Sequence, residues 1–358
     1  MTGAEKSEIK DYQALKKRNM VVLALLGIIL MMAMLFSLRA GSSDLSMGDI
    51  VKAIGGQSTK QNNMVMWNIR LPRILTAVLS GVGLGVTGAV LQGILKNPLA
   101  DTTTLGISQG AGFGAAFAII VLGAGVQGSS AANMSFNNPY LITISAFGGS
   151  ISASVMILVL SRFRRITPEA MVLCGVALSA MFTGATTLLQ YFADDVQLAS
   201  VVFWTFGDLG RTGWKEVRII AVVVVITLVY FLFNRWHYNA MESGEQTAAS
   251  LGVNVARSRI INMLVCALTA AVIVSFIGII NFIGLVAPHI MRRFLGNNYC
   301  WLLPASAMAG AVLLLLGDVL ARVIIAPVIL PIGAITSFLG ARYFCIFYSK
   351  EAQSNDTG

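Results

Sequence analysis

Long apolar stretches separated by short polar segments dominate this sequence. A helix needs about 20 apolar residues to cross a hydrocarbon layer about 30 Å thick. The candidate spans lie at residues 20–38, 72–95, 103–124, 140–161, 168–191, 215–234, 260–280, 282–295, 303–321 and 331–348. The pattern therefore predicts an all-α integral membrane protein with ten transmembrane helices.

The two ends of the chain are polar, and one span differs from the rest. Residues 1–19 are rich in lysine and are predicted to form a cytoplasmic N-terminal segment, while residues 349–358 form a cytoplasmic tail. Residues 20–348 make up a single ten-helix domain. The span at 282–295 is short and contains Pro288, so we expect a broken or tilted helix there.

The distribution of lysine and arginine predicts the orientation. Short loops that carry these residues tend to stay in the cytoplasm. If the N-terminus lies inside, most of the 25 lysines and arginines fall on the cytoplasmic side. Ten spans then return the C-terminus to the cytoplasm as well.

Composition supports a membrane protein and argues against nucleic acid as a partner. Apolar residues make up 56% of the chain, charged residues 11%, and the mean hydropathy is +0.77. The net charge of +9 is explained by cytoplasmic loops that lie next to anionic lipid. The four cysteines, Cys174, Cys266, Cys300 and Cys345, are widely spaced, so no metal centre, disulfide framework or cofactor is predicted.

Two glycine motifs resemble enzyme signatures but lie inside predicted spans. Residues 83–88 fit GxGxxG and residues 106–110 fit GxSxG, yet each motif needs a preceding strand. Gly81, Gly85 and Ala89 follow the small-xxx-small spacing that lets helices approach closely. We therefore interpret the glycines as a packing surface.

The energy source is predicted to lie outside this chain. The sequence has no GxxxxGK[ST] phosphate-binding loop. Its spans also lack a cluster of acids that would suggest a proton or sodium relay. The main acid within a span, Asp318, stands four residues before Arg322, where the two can pair on one helix face. A transporter built this way would draw its energy from another subunit.

A basic pair, Arg70 and Arg73, flanks Leu-Pro at the outer start of the second span. Two interpretations are open. The arginines can reach lipid phosphates at the interface, which composition alone favours. Alternatively, they can receive carboxylates from a partner protein.

The largest predicted cytoplasmic loop, residues 236–258, contains a short helix from Glu242 to Leu251 that ends at Gly252. The residues Ala248, Ala249, Leu251 and Val253 form an apolar face with no apparent partner in the chain. The segment is either a solvated connecting helix or a contact for another subunit.

Several stretches resemble one protein family. They read RLPRILTAVLSGVGLGVTGAVLQGILKNPLADTTTLGISQGAG, ASLGVNV, NFIGLVAPHIMRRFLG, LLPASAMAGAVLLLLGDVLAR and LPIGAITSFLGARYF. In order and spacing they are similar to the FecCD family of ABC importer permeases, which serves iron-siderophores, heme and vitamin B12. The resemblance runs from about residue 20 to residue 348.

This resemblance implies a type II ABC importer permease fold in the cytoplasmic membrane of a prokaryote, with no catalytic chemistry of its own. It implies a second permease subunit, identical or paralogous, around a central pathway. Two cytoplasmic ABC ATPase subunits and an extracytoplasmic substrate-binding protein complete the expected assembly.

The resemblance also assigns residues to roles. Docking of the binding protein is assigned to Arg70, Arg73 and Arg322, in place of the lipid interpretation. Coupling to the ATPase is assigned to Glu242, Glu245, Ala248, Leu251, Gly252 and Val253. The pathway and its inner gate are assigned to Thr167, Pro168, Glu169, Met171, Leu178, Met181, Thr186 and Gln190. At this gate the sequence departs from the run of small hydroxyl residues associated with the B12 members.

The sequence thus predicts the membrane-spanning subunit of an ATP-driven importer for an iron chelate of the ferric siderophore type. Heme or cobalamin import by the same machinery is the alternative. Two other classes stay open. A secondary transporter would need a coupling ion, and an intramembrane enzyme would need a base, for which only His237 and His289 are present.

Overall fold

The computed structural model describes residues 3–40, 48, 52–53, 55–127, 135–136, 138–163 and 167–356. Within these residues the fold is almost entirely helical. Its helices are α1 (Gly3–Arg39), α2 (Lys60–Val65), α3 (Leu71–Ile94), α4 (Ile107–Ile120), α5 (Pro139–Phe163), α6 (Pro168–Tyr191), α7 (Asp195–Thr205), α8 (Trp214–Phe233), α9 (Arg235–Glu242), α10 (Glu245–Ser250), α11 (Val255–Ile277), α12 (Ile283–Leu295), α13 (Tyr299–Val323) and α14 (Ile332–Asp356). A π-helical turn, Met66–Arg70, joins α2 to α3, and a 3-10 turn, Leu209–Arg211, precedes α8.

Each of the ten predicted spans coincides with one of these helices, which confirms the predicted fold class. Seven segments in the described part of the chain are long and apolar enough to cross a membrane. The span predicted at 103–124 is shorter as a helix, because α4 has 14 residues. The span predicted as short at 282–295 corresponds to α12, which has 13 residues with Pro288 inside. Below, the cytoplasmic and outer ends of the bundle are named after the predicted orientation.

The glycines of α3 form the closest packing surface in the bundle. A methyl group added at Gly81 would overlap the carbonyl oxygen of Gly310, and one at Gly85 would overlap that of Ser306. At Gly88 it would overlap the carbonyl oxygen of Gly284 in α12. Backbone therefore lies directly against backbone where α3 meets α12 and α13, which confirms the prediction of a packing surface.

Irregular backbone lies inside the bundle before α4. Gly106 has φ +75° and packs beside Gly175, about two turns into α6. The hydroxyl of Ser179 donates to the carbonyl of Thr103 at 3.3 Å. Non-helical backbone persists at membrane depth only where protein surrounds it. Because of this turn, α4 is shorter than the span predicted at 103–124.

The outer half of the bundle contains a helix that hydropathy did not predict. Asp194 caps the start of helix α7, and its side chain accepts from Gln197 N at 2.8 Å in a capping box. It ends where Gly207, with φ +73°, packs against the carbonyl of Ile279 between α11 and α12. Two short strands, Val126–Gln127 and Ser135–Phe136, pair antiparallel, with Val126 opposite Phe136.

Candidate functional site

A buried ionic cluster joins α3 to α13 at the outer end. Arg73 Nε lies 2.9 Å from Asp318 Oδ1, and Arg322 Nη2 lies 2.9 Å from Asp318 Oδ2. Asp208 is farther away, 3.8 Å from Arg73 Nη2, and its side chain is 42% exposed. The Asp318–Arg322 pair confirms the expected contact along one helix face, while the 245-residue separation between Arg73 and Asp318 hid their contact from the sequence.

The same cluster holds the outer end of α1. Arg70 Nη1 donates to the carbonyl of Leu38, and Arg322 donates to the carbonyl of Ala40 and to the hydroxyl of Ser37. The last carbonyls of a helix carry partial negative charge, which a guanidinium group stabilises. Arg70 and Arg322 therefore cap α1 from two neighbouring elements.

The three arginines assigned to docking, called the outer arginines below, thus have partners within their own chain. Arg70 is 5% exposed and Arg73 is 8% exposed, so neither presents a free guanidinium at the surface in this conformation. The contacts described here involve neither a lipid phosphate nor a partner carboxylate. The docking role assigned to Arg70, Arg73 and Arg322 stays a prediction.

The cytoplasmic end of α6 is built by standard helix capping. Thr167 accepts a hydrogen bond from Ala170 N at 3.4 Å, Pro168 occupies the first turn and Glu169 lies beside it. Thr167 and Glu169 are exposed at the entrance to the helix. The capping explains why these residues start α6, and their assignment to an inner gate stays a prediction.

The faces of α6 differ from the expected arrangement. Met171 and Leu178 pack in the hydrophobic core of the same chain, which corrects the expectation that they line the pathway. The exposed face carries Met181 together with Thr183 and Thr187. Of the other predicted pathway residues, Thr186 and Gln190 are half-buried.

Cysteine labelling can distinguish the faces of α6. We expect Thr183→Cys and Thr187→Cys to react with a water-soluble thiol reagent, because their face is exposed and carries hydroxyl groups that attract water. Met171→Cys should stay unreactive inside the core. Ile226→Cys, on an exposed apolar face of α8, serves as the control for a face expected to meet lipid. Equal reaction rates for Thr183→Cys and Ile226→Cys would contradict an aqueous pathway beside α6.

An apolar groove opens at the cytoplasmic end between α9 and the turn after α10. It has a volume of about 390 Å³, and its lining includes Trp236, Leu251 and Val253. The side chain of Leu251 is 68% exposed and that of Trp236 is 64% exposed. The sequence analysis missed Trp236, although an indole beside Arg235 in a predicted loop was a visible signal.

Ala248 does not belong to the exposed face that the sequence predicted. It is completely buried and packs in the core that contains Tyr238 and Met241, which corrects the prediction of an apolar face without a partner. Burial raises the pKa of the Tyr238 hydroxyl, which stays protonated and donates to Asn262 Oδ1 at 2.6 Å. Helices α9 and α10 are thus fixed to the bundle on one side and exposed on the other.

Comparison with known proteins places the chain in a family. The FecCD transport family matches residues 29–350. An ABC transporter permease of Methanocaldococcus jannaschii is 51% identical to this chain, and the match covers 95% of this chain and 97% of that permease. The hemin transport system permease of Yersinia pestis is 35% identical, and that match covers 90% of this chain and 94% of the permease. Permeases of Fe(3+)-citrate and iron(3+)-hydroxamate import in Bacillus subtilis are 34% and 32% identical, and one of vitamin B12 import in Salmonella paratyphi A is 32% identical.

A solved structure supports the same fold. It shows a metal-chelate type ABC transporter in an inward-facing conformation, with a TM-score of 0.80 and 29% identity, and the match covers 92% of this chain and 99% of that one. The helical bundle and these matches therefore define a membrane permease of the ABC importer class. The chain belongs to the FecCD transport family, whose members are transport subunits of metal-chelate type importers in the prokaryotic cytoplasmic membrane.

Proposed function

We propose that this chain imports a ferric siderophore, powered by ATP that two separate cytoplasmic ABC ATPase subunits hydrolyse. The chain pairs with a second permease subunit around a central pathway and receives its cargo from an extracytoplasmic binding protein. ATP binding closes the ATPase pair, α9 and α10 follow that movement, and the pathway changes the side to which it opens.

The exposed groove at α9 and α10 carries this proposal. Leu251 and Trp236 expose large apolar surfaces on a side that is predicted to face the cytoplasm rather than lipid. Exposed apolar patches of this kind mark protein contacts. This chain has no phosphate-binding loop and needs an ATPase partner. The groove offers that ATPase an apolar contact.

Substitution of Leu251 tests the contact with the ATPase. Leu251→Asp should leave the fold intact, because the side chain is exposed, yet it should weaken ATPase association and uptake at least tenfold, since an unpaired buried charge costs several kcal/mol. Gln246→Asp adds the same charge at an exposed polar position of α10 and should have little effect. Co-purification and uptake by whole cells measure both variants, and full activity of Leu251→Asp would remove the groove from the contact.

The substrate class rests on two observations. Relatives of this chain are permeases for iron chelates as well as for hemin and vitamin B12. The exposed face of α6 carries Thr183 and Thr187, whose hydroxyls donate to carbonyls one turn earlier at 2.8 and 3.0 Å. Their oxygens keep acceptor capacity toward a polar solute. The same side of α6 also exposes Leu173 and Leu188, so it offers a chelate an uncharged, mixed surface without tight binding.

Competition for uptake identifies the cargo. Cells that express this chain with its ATPase and binding protein should accumulate iron from a ferric hydroxamate, and excess unlabelled chelate should abolish that uptake. Heme and cobalamin should not compete. Uptake of heme or cobalamin, together with the absence of ferric-chelate uptake, would assign the alternative cargo.

A further inference from the structure

Arg259 connects the short helix α10 to the transmembrane helix α3. Its Nη2 lies 2.5 Å from Glu245 Oε1, and its Nε donates to the carbonyl of Ile94 at 2.9 Å. Glu245 is the first residue of α10 and Ile94 is the last residue of α3. One guanidinium group therefore fixes the start of α10 to the cytoplasmic end of α3.

A second set of contacts connects α9 to the start of α13. Asn239 Oδ1 accepts from the backbone N–H of Tyr299 at 2.7 Å, and Glu242 Oε1 accepts from Asn297 Nδ2 at 2.8 Å. Tyr299 is the first residue of α13. Helices α9 and α10 thus hold the cytoplasmic ends of two different transmembrane helices.

Those two helices behave as one unit in the packing of the bundle. Their backbones touch along Gly81 and Gly85 of α3 and Gly310 of α13, so neither can slide without breaking close contacts. At the outer end, Arg73 of α3 and Asp318 of α13 are paired. The unit formed by α3 and α13 runs from α9 and α10 at one end of the bundle to the outer arginines at the other.

We propose that Arg259 is a positioning residue that transmits the movement of α10 to the α3–α13 unit and thereby couples ATP hydrolysis to transport. The proposal rests on the proposed function, because it assumes that the ATPase docks on α9 and α10. Arg259 touches neither cargo nor nucleotide. Its effect passes through the carbonyl of Ile94 and the carboxylate of Glu245.

The energetics favour a role in position over a role in stability. The side chain of Arg259 is 12% exposed and that of Glu245 is 46% exposed. Because water reaches the carboxylate, the ion pair contributes little to the free energy of unfolding. The geometry is nevertheless restrictive, since the planar guanidinium fixes the direction of both of its hydrogen bonds. Loss of Arg259 should therefore release α10 from α3 while the bundle stays folded.

The test compares uptake per ATP hydrolysed in proteoliposomes that contain the full complex. Arg259→Gln should keep ATPase association and basal hydrolysis, while uptake per ATP falls about tenfold, as expected for the loss of charge-assisted hydrogen bonds. Arg259→Lys, which can make one of the two contacts, should give an intermediate ratio. Arg257→Gln removes the same charge from an exposed position two residues away in α11 and should match the wild type.

Several results would overturn the proposal. An unchanged ratio in Arg259→Gln would do so, as would an equal fall in Arg257→Gln, which would indicate a general effect of charge near the ATPase. If Arg259→Gln does not assemble, Arg259→Lys decides: an intermediate ratio supports the proposal and a wild-type ratio overturns it. A wild-type complex that binds no ATPase would instead contradict the proposed function itself.

Discussion

Replacing Asp318 with alanine is expected to cost about 3–5 kcal/mol in the free energy of unfolding, because the change leaves charged groups buried without their partner. The carboxylate is completely buried and contacts both Arg73 and Arg322 at 2.9 Å. Loss of the Arg73 pair also removes the ionic link between the outer ends of α3 and α13. The measurement is thermal unfolding of the purified protein in detergent.

Asp208 provides the matched control for Asp318. It approaches the same arginine, Arg73, but at 3.8 Å and with a half-exposed side chain. Asp208→Ala should therefore change the free energy of unfolding by about 1 kcal/mol or less. Equal stability losses in the two variants would contradict the account of a buried cluster centred on Asp318.

This cluster also changes how the docking prediction must be tested. Arg73→Glu would place a carboxylate against Asp318, so a loss of docking in that variant would not separate partner binding from damage to the fold. Arg70 contacts a backbone carbonyl of α1 instead. Arg70→Gln, combined with a measurement of folding, is therefore the cleaner variant for binding-protein affinity.

Replacing Gly85 with alanine is expected to prevent correct assembly of the bundle. The added methyl group would overlap the carbonyl oxygen of Ser306, which is backbone and cannot turn aside. Overpacking of a rigid core costs about 1–3 kcal/mol even when side chains can adjust, and here α3 and α13 must separate. We expect little folded protein in the membrane, measured as the monodisperse fraction after extraction.

Gly148 of α5 is the matched control, because a methyl group there meets no atom within 4 Å. Gly148→Ala should fold normally and gain slightly from the higher helix propensity of alanine, by about 0.5–1 kcal/mol. Normal yield and thermal stability of Gly85→Ala would contradict the close backbone packing of α3 against α13.

Hydropathy predicted the number of spans because each long helix carries its own apolar signal. It could not place the ends of α4 or the end of α11, since the turns at Gly106 and Gly278 depend on contacts with distant elements. Gly106 packs beside Gly175, and Gly278 packs against the carbonyl of Trp204. After Gly278, Ile279 and Ile280 continue the apolar composition through the turn, and tertiary contacts interrupt the helix there.

For the site residues as well, features that depend on neighbouring residues could be predicted, and contacts between distant residues could not. The apolar character of Leu251 and the helix end at Gly252 were visible in the sequence, and Leu251 is exposed as expected. The burial of Ala248 and Met171 was not visible, because a small or apolar residue in a helix can face the core or a partner. The contacts of Arg259 were equally hidden, since they join residues 14 and 165 positions away.

Reconstituted transport tests the central claim most directly. Proteoliposomes should contain this chain with its ATPase partners, with ATP on the side of α9 and α10 and a binding protein loaded with ferric hydroxamate on the side of the outer arginines. We predict accumulation of iron that requires ATP and persists when ion gradients are collapsed. Accumulation that follows an ion gradient without ATP would contradict the account.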